Sequence, residues 1–511
     1  MGISKTNPLI GINGKERLAY IMKKWNSCLH SEMPAGRRLM HILLLVVGLM
    51  ELQLITMEGL WGYMGYYLVE NYLVVPGLLF LGIALTQGLT WPAKEKLILG
   101  ALASAWFVVV QVQHRMNQVD TFPFGMLFFA WLMAFPFAAV SGDEEKNTGL
   151  GMIGKLFAAA SLILVAYTLL LVLDCMPAFL APFVFWDGTR LHAMWHPNVS
   201  ACIFMIGIGF CLSFWFQSKT VMGKALLGAA VAAQFLAMAL TNCRTTLLMT
   251  CALIGGTLFF AILRKGGWKR LLAGFAVALV VMVGLFTLSS TVYERHAQAQ
   301  TAKLTALLRE EEEQEAAAAA EIPAETQAAA RMESSAAAEP EIPASQNYSV
   351  NSNTGEVTIH GVSGQGSLSN DLRTLNGRTG IWKAALTALR DQKSLLLWGT
   401  EYVGLAISVY NSFPVEHAHN SWMEVLMRLG IPGLLAALAV TWIAVRSAWV
   451  LLWNSQVDLW KKVMAMLVLC VMVAGFLEPY LFITRSYYQF IDFIFFFCTG
   501  YLDQWRRQVS G

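Results

Sequence analysis

The chain has 511 residues, of which 56% are hydrophobic and 14% charged, with a formal net charge of +3 and a mean hydropathy of +0.54. That much apolar surface cannot be enclosed in one soluble core, so composition excludes an ordinary soluble enzyme and leaves a polytopic membrane protein. Predominantly apolar windows of roughly 17 to 25 residues, the length a helix needs to cross the hydrocarbon layer, recur about twelve times.

The first 38 residues carry Lys15, Arg17, Lys23, Lys24, Arg37 and Arg38, which predicts a cytoplasmic N-terminal segment, 1–38. The first apolar run begins near Leu39 without a small-residue cleavage site, and reads as a signal anchor. The opening M-G-I-S-K-T fits an N-myristoylation pattern, which adds nothing to a chain already held by many helices.

Spans are predicted at 39–58, 72–90, 97–113, 123–140, 156–175, 198–216, 225–241, 245–263 and 271–290, forming a first membrane domain, 39–290. The basic residues Lys94 and Lys96, Lys219 and Lys224, Arg264 to Arg270, Lys461 and Lys462, and Arg506 and Arg507 fall in every second connection, so both termini are expected in the cytoplasm. By the same alternation the polar stretch 291–419 is a large extracytoplasmic loop.

Within that loop, 309–345 is an Ala/Glu tract with scattered prolines. It reads as an acidic spacer whose first part is a solvated helix. The run V-T-I-H at Val357 to His360 is strand-like, and a turn at Asn376 and Gly377 leads into an amphipathic helix with Trp382 at the outer membrane surface. Spans at 420–446, 462–480 and 486–503 form the second membrane domain, 420–503, followed by a cytoplasmic tail, 504–511. The expected fold is all-α and polytopic, with about twelve helices and the large loop between the ninth and tenth. The eight cysteines are scattered and read as small core residues.

Charged side chains near membrane depth are costly and point to function. Arg244, in T-N-C-R-T-T between two spans, suits bidentate binding of a phosphate, and equally a snorkelling anchor. Arg378, in N-G-R-T-G-I-W, carries the same two readings. The segment G-T-R-L-H-A-M-W-H-P-N gathers Arg190, His192, His196 and Asn198 ahead of a span, and a polar helix entry capped by Asn198 accounts for it as well as a binding site does.

The stretch E-H-A-H-N-S-W-M-E-V-L-M-R-L-G-I-P-G, from Glu416 to Gly433, places His417 and His419 beside a long apolar run. There an imidazole can exchange a proton with water near neutral pH. Asn420 and a capping box from Ser421 to Glu424 would explain the helix start. A lone H-x-H lacks further ligands at a metal-binding spacing, so no metal site is expected.

Taken together, these segments resemble the O-antigen ligase and polymerase superfamily of bacterial membrane glycosyltransferases. The family's ligase motif, a histidine, then Asn, Ser or Gln, nine residues, Gly, two residues and Gly, is matched by His419, Asn420, Gly430 and Gly433. Arg244 matches the family's arginine ahead of the loop. Arg378 with Trp382 matches the arginine within the loop, Gly399 to Gly404 a G-x-x-x-x-G element, and Arg190 with Pro197 and Asn198 a further arginine and P-N pair. Cys243 stands where a serine often precedes the arginine, and His417 and the Ala/Glu tract are additions.

The resemblance implies a GT-C-like fold and transfer of a glycan from a polyprenyl diphosphate donor to a glycan, lipid or wall-polymer acceptor. It implies an active site on the extracytoplasmic face of a bacterial plasma membrane. His419, Arg244 and Arg378 would be catalytic, and Arg190, Asn198, Asn420, His417 and Trp382 substrate-binding. No cofactor and no nucleic-acid partner is implied, and transfer would be metal-independent and inverting. A lipid-linked glycan transporter or flippase and a non-enzymatic assembly scaffold are the competing classes. A two-halved transporter would place its long loop midway and in the cytoplasm.

Overall fold

The computed structural model describes residues 148–177, 184–187, 189–193, 197–264, 266–320, 348–351, 356–359, 377–400, 402–411, 414–482 and 489–510, with isolated helical positions between 98 and 113. The spans expected at 39–58, 72–90 and 123–140, most of that at 97–113, the N-terminal segment, tract residues 321–345, His196 and His360 lie outside the described residues.

The first helix is α1 (Thr148–Val172), followed by a hairpin of β1 (Val184–Asp187) and β2 (Arg190–Ala193). Then come α2 (Pro197–Gln217), α3 (Val221–Leu240), α4 (Arg244–Leu263) and α5 (Trp268–Ala320). A second hairpin, β3 (Tyr348–Asn351) and β4 (Glu356–Ile359), precedes three short helices, α6 (Arg378–Asp391), α7 (Ser394–Trp398) and α8 (Val403–Ser408). The chain ends in α9 (Ser421–Trp453), α10 (Leu459–Ala474) and α11 (Gln489–Ser510). Both hairpins are antiparallel.

Among the described residues six helices are long and apolar enough to cross a membrane: α1, α2, α3, α4, α5 and α9. In α2 78% of the apolar window is buried inside the protein, against 11% in α5. The bundle is thus arranged around α2, with α1, α3, α4 and α10 packed against it and α5 packed outside on α3 and α4.

Several boundaries differ from the sequence expectation, and two of the differences change the kind of element. A span at 271–290 and a loop from 291 were expected, yet α5 continues without interruption through 53 residues to Ala320. At 1.5 Å per residue it is about 80 Å long, against about 30 Å of hydrocarbon. Ala, Gln, Glu and Leu favour helix in water as well as in lipid, so the change of polarity at 291 carries no backbone signal to stop. Within the segment Gly188 to Asn198, for which a polar helix entry is one of the two expectations, Arg190–Ala193 is instead the second arm of a hairpin. The β-favouring runs V-F-W-D and R-L-H-A pair across a two-residue connection.

The basic clusters share one end of the bundle. Lys461 at the start of α10 lies 5.3 Å from the Trp505 ring centroid on α11, and Lys462 lies 5.5 Å from the Phe260 ring near the end of α4. Lys462 also donates to the Leu452 carbonyl at 2.8 Å, closing the end of α9.

The ligase motif's glycines are explained by packing. Helix α9 breaks at Gly430 (φ 67°, ψ −169°), and Pro432 lacks the N–H that would return to Arg428. The Leu429 carbonyl accepts from the Trp106 indole at 3.1 Å, and that of Met427 from the Thr400 amide at 2.7 Å. Gly399, also at positive φ, closes α7 directly against this break. A Cβ on Gly399 would overlap the Arg428 carbonyl group, and one on Gly430 the Leu397 carbonyl group. Backbone meets backbone here, a contact open only to glycine. Gly404, at the other end of the G-x-x-x-x-G element, lies against the backbone of Val415 and Glu416, immediately before the two histidines.

Candidate functional site

The site forms where α9 begins. His419 adopts a left-handed backbone (φ 49°), and Asn420 follows extended at the N-cap. His and Asn tolerate the left-handed region better than most residues, but it still costs of order 1 kcal/mol, and such strain concentrates at functional sites. The Asn420 side-chain oxygen accepts from the Met423 amide at 2.9 Å, and its amide nitrogen donates to the Phe476 carbonyl at 2.9 Å.

The capping box expected from Ser421 to Glu424 does not form. With Asn420 as N-cap the box spacing is out by one residue. Glu424, fully buried, accepts from the Ala418 amide at 2.8 Å and from Arg428 Nε at 2.8 Å. Ser421 turns toward the connection between α10 and α11, donating to the Glu478 carbonyl at 3.1 Å and accepting from the Leu481 amide at 2.9 Å. The α9 N-terminus and the 475–481 turn are therefore one hydrogen-bonded unit.

That turn supplies the central group. The span expected at 462–480 ends as a helix at Ala474, and Glu478 follows in the turn with only 4% of its side chain exposed. One carboxylate oxygen pairs with Arg378, the first residue of α6. The other lies 3.8 Å from His419 Nδ1, an ion-pair separation too long for a hydrogen bond. Burial alone raises the carboxyl's pKa, but attraction to His419, Arg378 and His417 outweighs it and holds Glu478 below its ordinary value. The His417 and His419 rings meet edge to face at 4.1 Å.

Helix α6 is held to the same loop by Trp382, whose indole donates to the Ala418 carbonyl at 2.9 Å. Its apolar side, Ile381, Ala384, Ala385, Ala388 and Leu389, is buried with Ile407, Ala418 and Met427 in a small core of its own. The positively charged fork of Arg378 thus sits on an element packed from one side and tethered from the other.

A second network approaches from α2 and α4. Tyr480, two residues beyond Glu478 and fully buried, donates to the Asn198 carbonyl at 3.1 Å and lies 2.9 Å from the Thr246 hydroxyl. Burial pushes its phenol well above the ordinary value, so it acts as a neutral donor. Cys243, the N-cap of α4, lies 3.6 Å from the same hydroxyl. Arg244 is the first residue of α4, preceded by Asn242 in another left-handed conformation (φ 51°). Arg190 donates through Nε to the Thr241 carbonyl at 3.0 Å and through a terminal nitrogen to the Asn198 side chain at 3.3 Å.

The 475–481 turn is what joins these groups. Arg378 and His419 meet at Glu478. Asn420 and Ser421 are bonded to its flanks, and Tyr480 reaches the segments that hold Arg190, Asn198 and Arg244. Arg244 itself starts its helix beside this network, in contact through its neighbours Cys243 and Thr246. Glu478 and Tyr480 are not among the candidate residues that the sequence offers. Their signal was an isolated acid in F-L-E-P-Y at the end of an apolar run, costly at membrane depth unless paired. Among the described residues no group of three or more His, Cys, Asp or Glu is placed to hold a metal ion.

Residues 229–438 match a family model described as O-Antigen ligase. The match takes in Arg244, Arg378, Trp382, His417, His419 and Asn420 and leaves out Arg190, Asn198, Glu478 and Tyr480. No curated protein matches the chain. With that region set among several membrane-length apolar helices, the chain is a multi-pass membrane protein whose residues 229–438 are similar to the O-antigen ligase family.

Proposed function

We propose that this protein transfers a glycan from a polyprenyl diphosphate donor to an acceptor hydroxyl at the extracytoplasmic face of a bacterial plasma membrane, in cell-surface polysaccharide synthesis. The observation that carries this reading is the buried Glu478, shared between the His419 imidazole and the Arg378 guanidinium. A base and a cation are thereby held side by side, as the displacement of a diphosphate by a hydroxyl requires.

In this reading His419 takes the acceptor's hydroxyl proton on Nε2. Glu478 faces Nδ1, sets the ring's orientation and offsets the positive charge that the proton brings. The acceptor oxygen forms its bond to the anomeric carbon as the bond to the phosphate oxygen breaks, and the diphosphate leaves with that electron pair. Arg244 and Arg378 hold the diphosphate and stabilise its growing charge, with the amides at the start of α4 and α9 on the same side. Only part of the Arg378 fork is used by Glu478; its Nε has no hydrogen-bond partner among the described residues.

Asn420, His417, Trp382, Arg190 and Asn198 shape the surroundings. One direct displacement inverts the anomeric carbon, and this scheme uses no metal. In this reading both termini are cytoplasmic, on the side to which the basic residues Lys461, Lys462 and Arg506 assign the C-terminal end.

The test is transfer in detergent from a lipid-linked donor by the purified chain, with no bilayer to transport across. His419→Ala should abolish it, and chelator should leave the wild type undiminished. Full transfer by His419→Ala removes the base assignment, and loss in chelator restored by a divalent ion removes the metal-free scheme. Chain growth as product identifies a polymerase, and attachment to a different acceptor identifies a ligase.

A further inference from the structure

The hairpin β1–β2 presents two unlike faces. Its register pairs Phe185 with His192, Trp186 with Leu191 and Asp187 with Arg190. One face carries Val184 and Leu191, 1% and 0% exposed, and packs inward. Trp186 on that face lies 4.1 Å from the His296 ring on α5, and the Thr189 hydroxyl is 2.7 Å from the Tyr293 hydroxyl. The hairpin is thereby fixed to the middle of the long helix.

The opposite face carries Phe185 and Asp187 from β1 and Arg190 and His192 from β2. Phe185 and His192 stack at 4.4 Å with 20° between their planes, yet Phe185 remains 39% exposed. The imidazole covers one side of the phenyl ring, so the exposed surface is the other. A large aromatic side chain in an otherwise anchored hairpin is held with one flat face open. Arg190, on the same face, is bonded to Thr241 and Asn198, and Asn198 in turn takes the Tyr480 hydroxyl. Two residues of strand, about 7 Å, separate Arg190 from the stacked pair. The open ring therefore lies next to the site rather than at a remote surface, and the other residues of that face, Asp187, Arg190 and His192, are polar or charged. Lipid chains do not suit such a face; a sugar ring does, laying its apolar C–H face on the electron-rich ring and turning its hydroxyls to the polar side chains.

We propose that this face of the hairpin is a glycan subsite, with Phe185 as the stacking platform for a pyranose ring of the donor or acceptor glycan. The subsite rests on the glycan-transfer reading and specifies where the sugars beyond the reacting bond are held. Phe185→Leu keeps an apolar side chain, as a membrane anchor would need, but loses the flat ring; Phe185→Tyr keeps the ring.

In the detergent assay Phe185→Leu should raise KM for one glycan about 3- to 10-fold, the loss expected for one aromatic stacking contact, with kcat within about twofold. Phe185→Tyr should stay near wild type. A rise for the donor places the donor glycan on the ledge, and a rise for the acceptor places the acceptor there. An active Phe185→Leu protein with both KM values unchanged overturns the subsite while leaving glycan transfer intact. If the wild type transfers nothing, the transfer reading fails separately. The subsite is then decided by saturation-transfer NMR on the full chain, with oligosaccharide released by mild acid from polyprenyl-diphosphate-linked glycan. Binding that Phe185→Leu weakens and Phe185→Tyr keeps supports it; equal binding by all three, or none, overturns it.

Discussion

Replacing Glu478 by Gln isolates the charge at the centre of the site while nearly preserving its shape. The carboxylate lies 3.8 Å from His419 Nδ1. A charged imidazole at that distance gains about 4 kcal/mol at an effective dielectric of about 20 and about 1 kcal/mol in bulk water. His419 is 32% exposed, so a value between the limits, about 2 kcal/mol, is appropriate, and transfer should fall about 30-fold. The Arg378 pair is more enclosed, at 13% and 4% exposed, and removing one partner leaves a poorly solvated guanidinium. That should cost about 3 kcal/mol of stability, seen as a lower melting temperature in detergent.

The pH dependence gives an independent check. The folded Glu478 carboxyl is held below its ordinary value, so its contribution is fully present above the ordinary carboxylate range and is lost as pH falls through the lower, folded value. The stability advantage of wild type over Glu478→Gln should be constant near neutrality and vanish in acid. Differential scanning fluorimetry across pH and initial transfer rates measure both effects. Transfer within twofold of wild type, with an unchanged melting temperature at neutral pH, would refute the central role given to Glu478.

Gly430→Ala places a Cβ on a backbone with φ 67° and against the Leu397 carbonyl group. At a cost of about 3 kcal/mol or more it should sharply reduce the monodisperse fraction in size-exclusion chromatography. Trp382→Phe removes the indole bond to Ala418, worth about 1 kcal/mol; transfer should fall about fivefold with little change in folded yield, and an unchanged rate would show the tether to be dispensable. Arg244→Lys keeps the charge but loses the planar fork, so donor KM should rise about tenfold or more; equal kinetics would mean that Arg244 acts as a simple anchor.

The membrane class, the cap residue Asn420, the helix that follows the Asn376–Gly377 turn, the span boundary beside Arg244 and the motif from His419 to Gly433 are legible in the sequence. Each depends on local composition or on spacing within a few turns of one helix, and those quantities are written along the chain. The extent of α5 is not legible in the same way, because polarity marks where lipid ends but backbone propensity decides where a helix ends.

What surrounds the histidine comes from packing between distant segments. Glu478 reaches Arg378 across 100 residues, and Tyr480 reaches Asn198 across 282. The glycines at 399 and 430 have meaning only against backbone from the other segment, Gly399 against Arg428 and Leu429 and Gly430 against Leu396 and Leu397. Such contacts leave no periodic trace, because a buried carboxylate needs one partner of opposite charge within a few ångströms and any distant segment can provide it. What forces the pairing is the cost of burying Glu478 alone, and that cost exists only once the helices are packed.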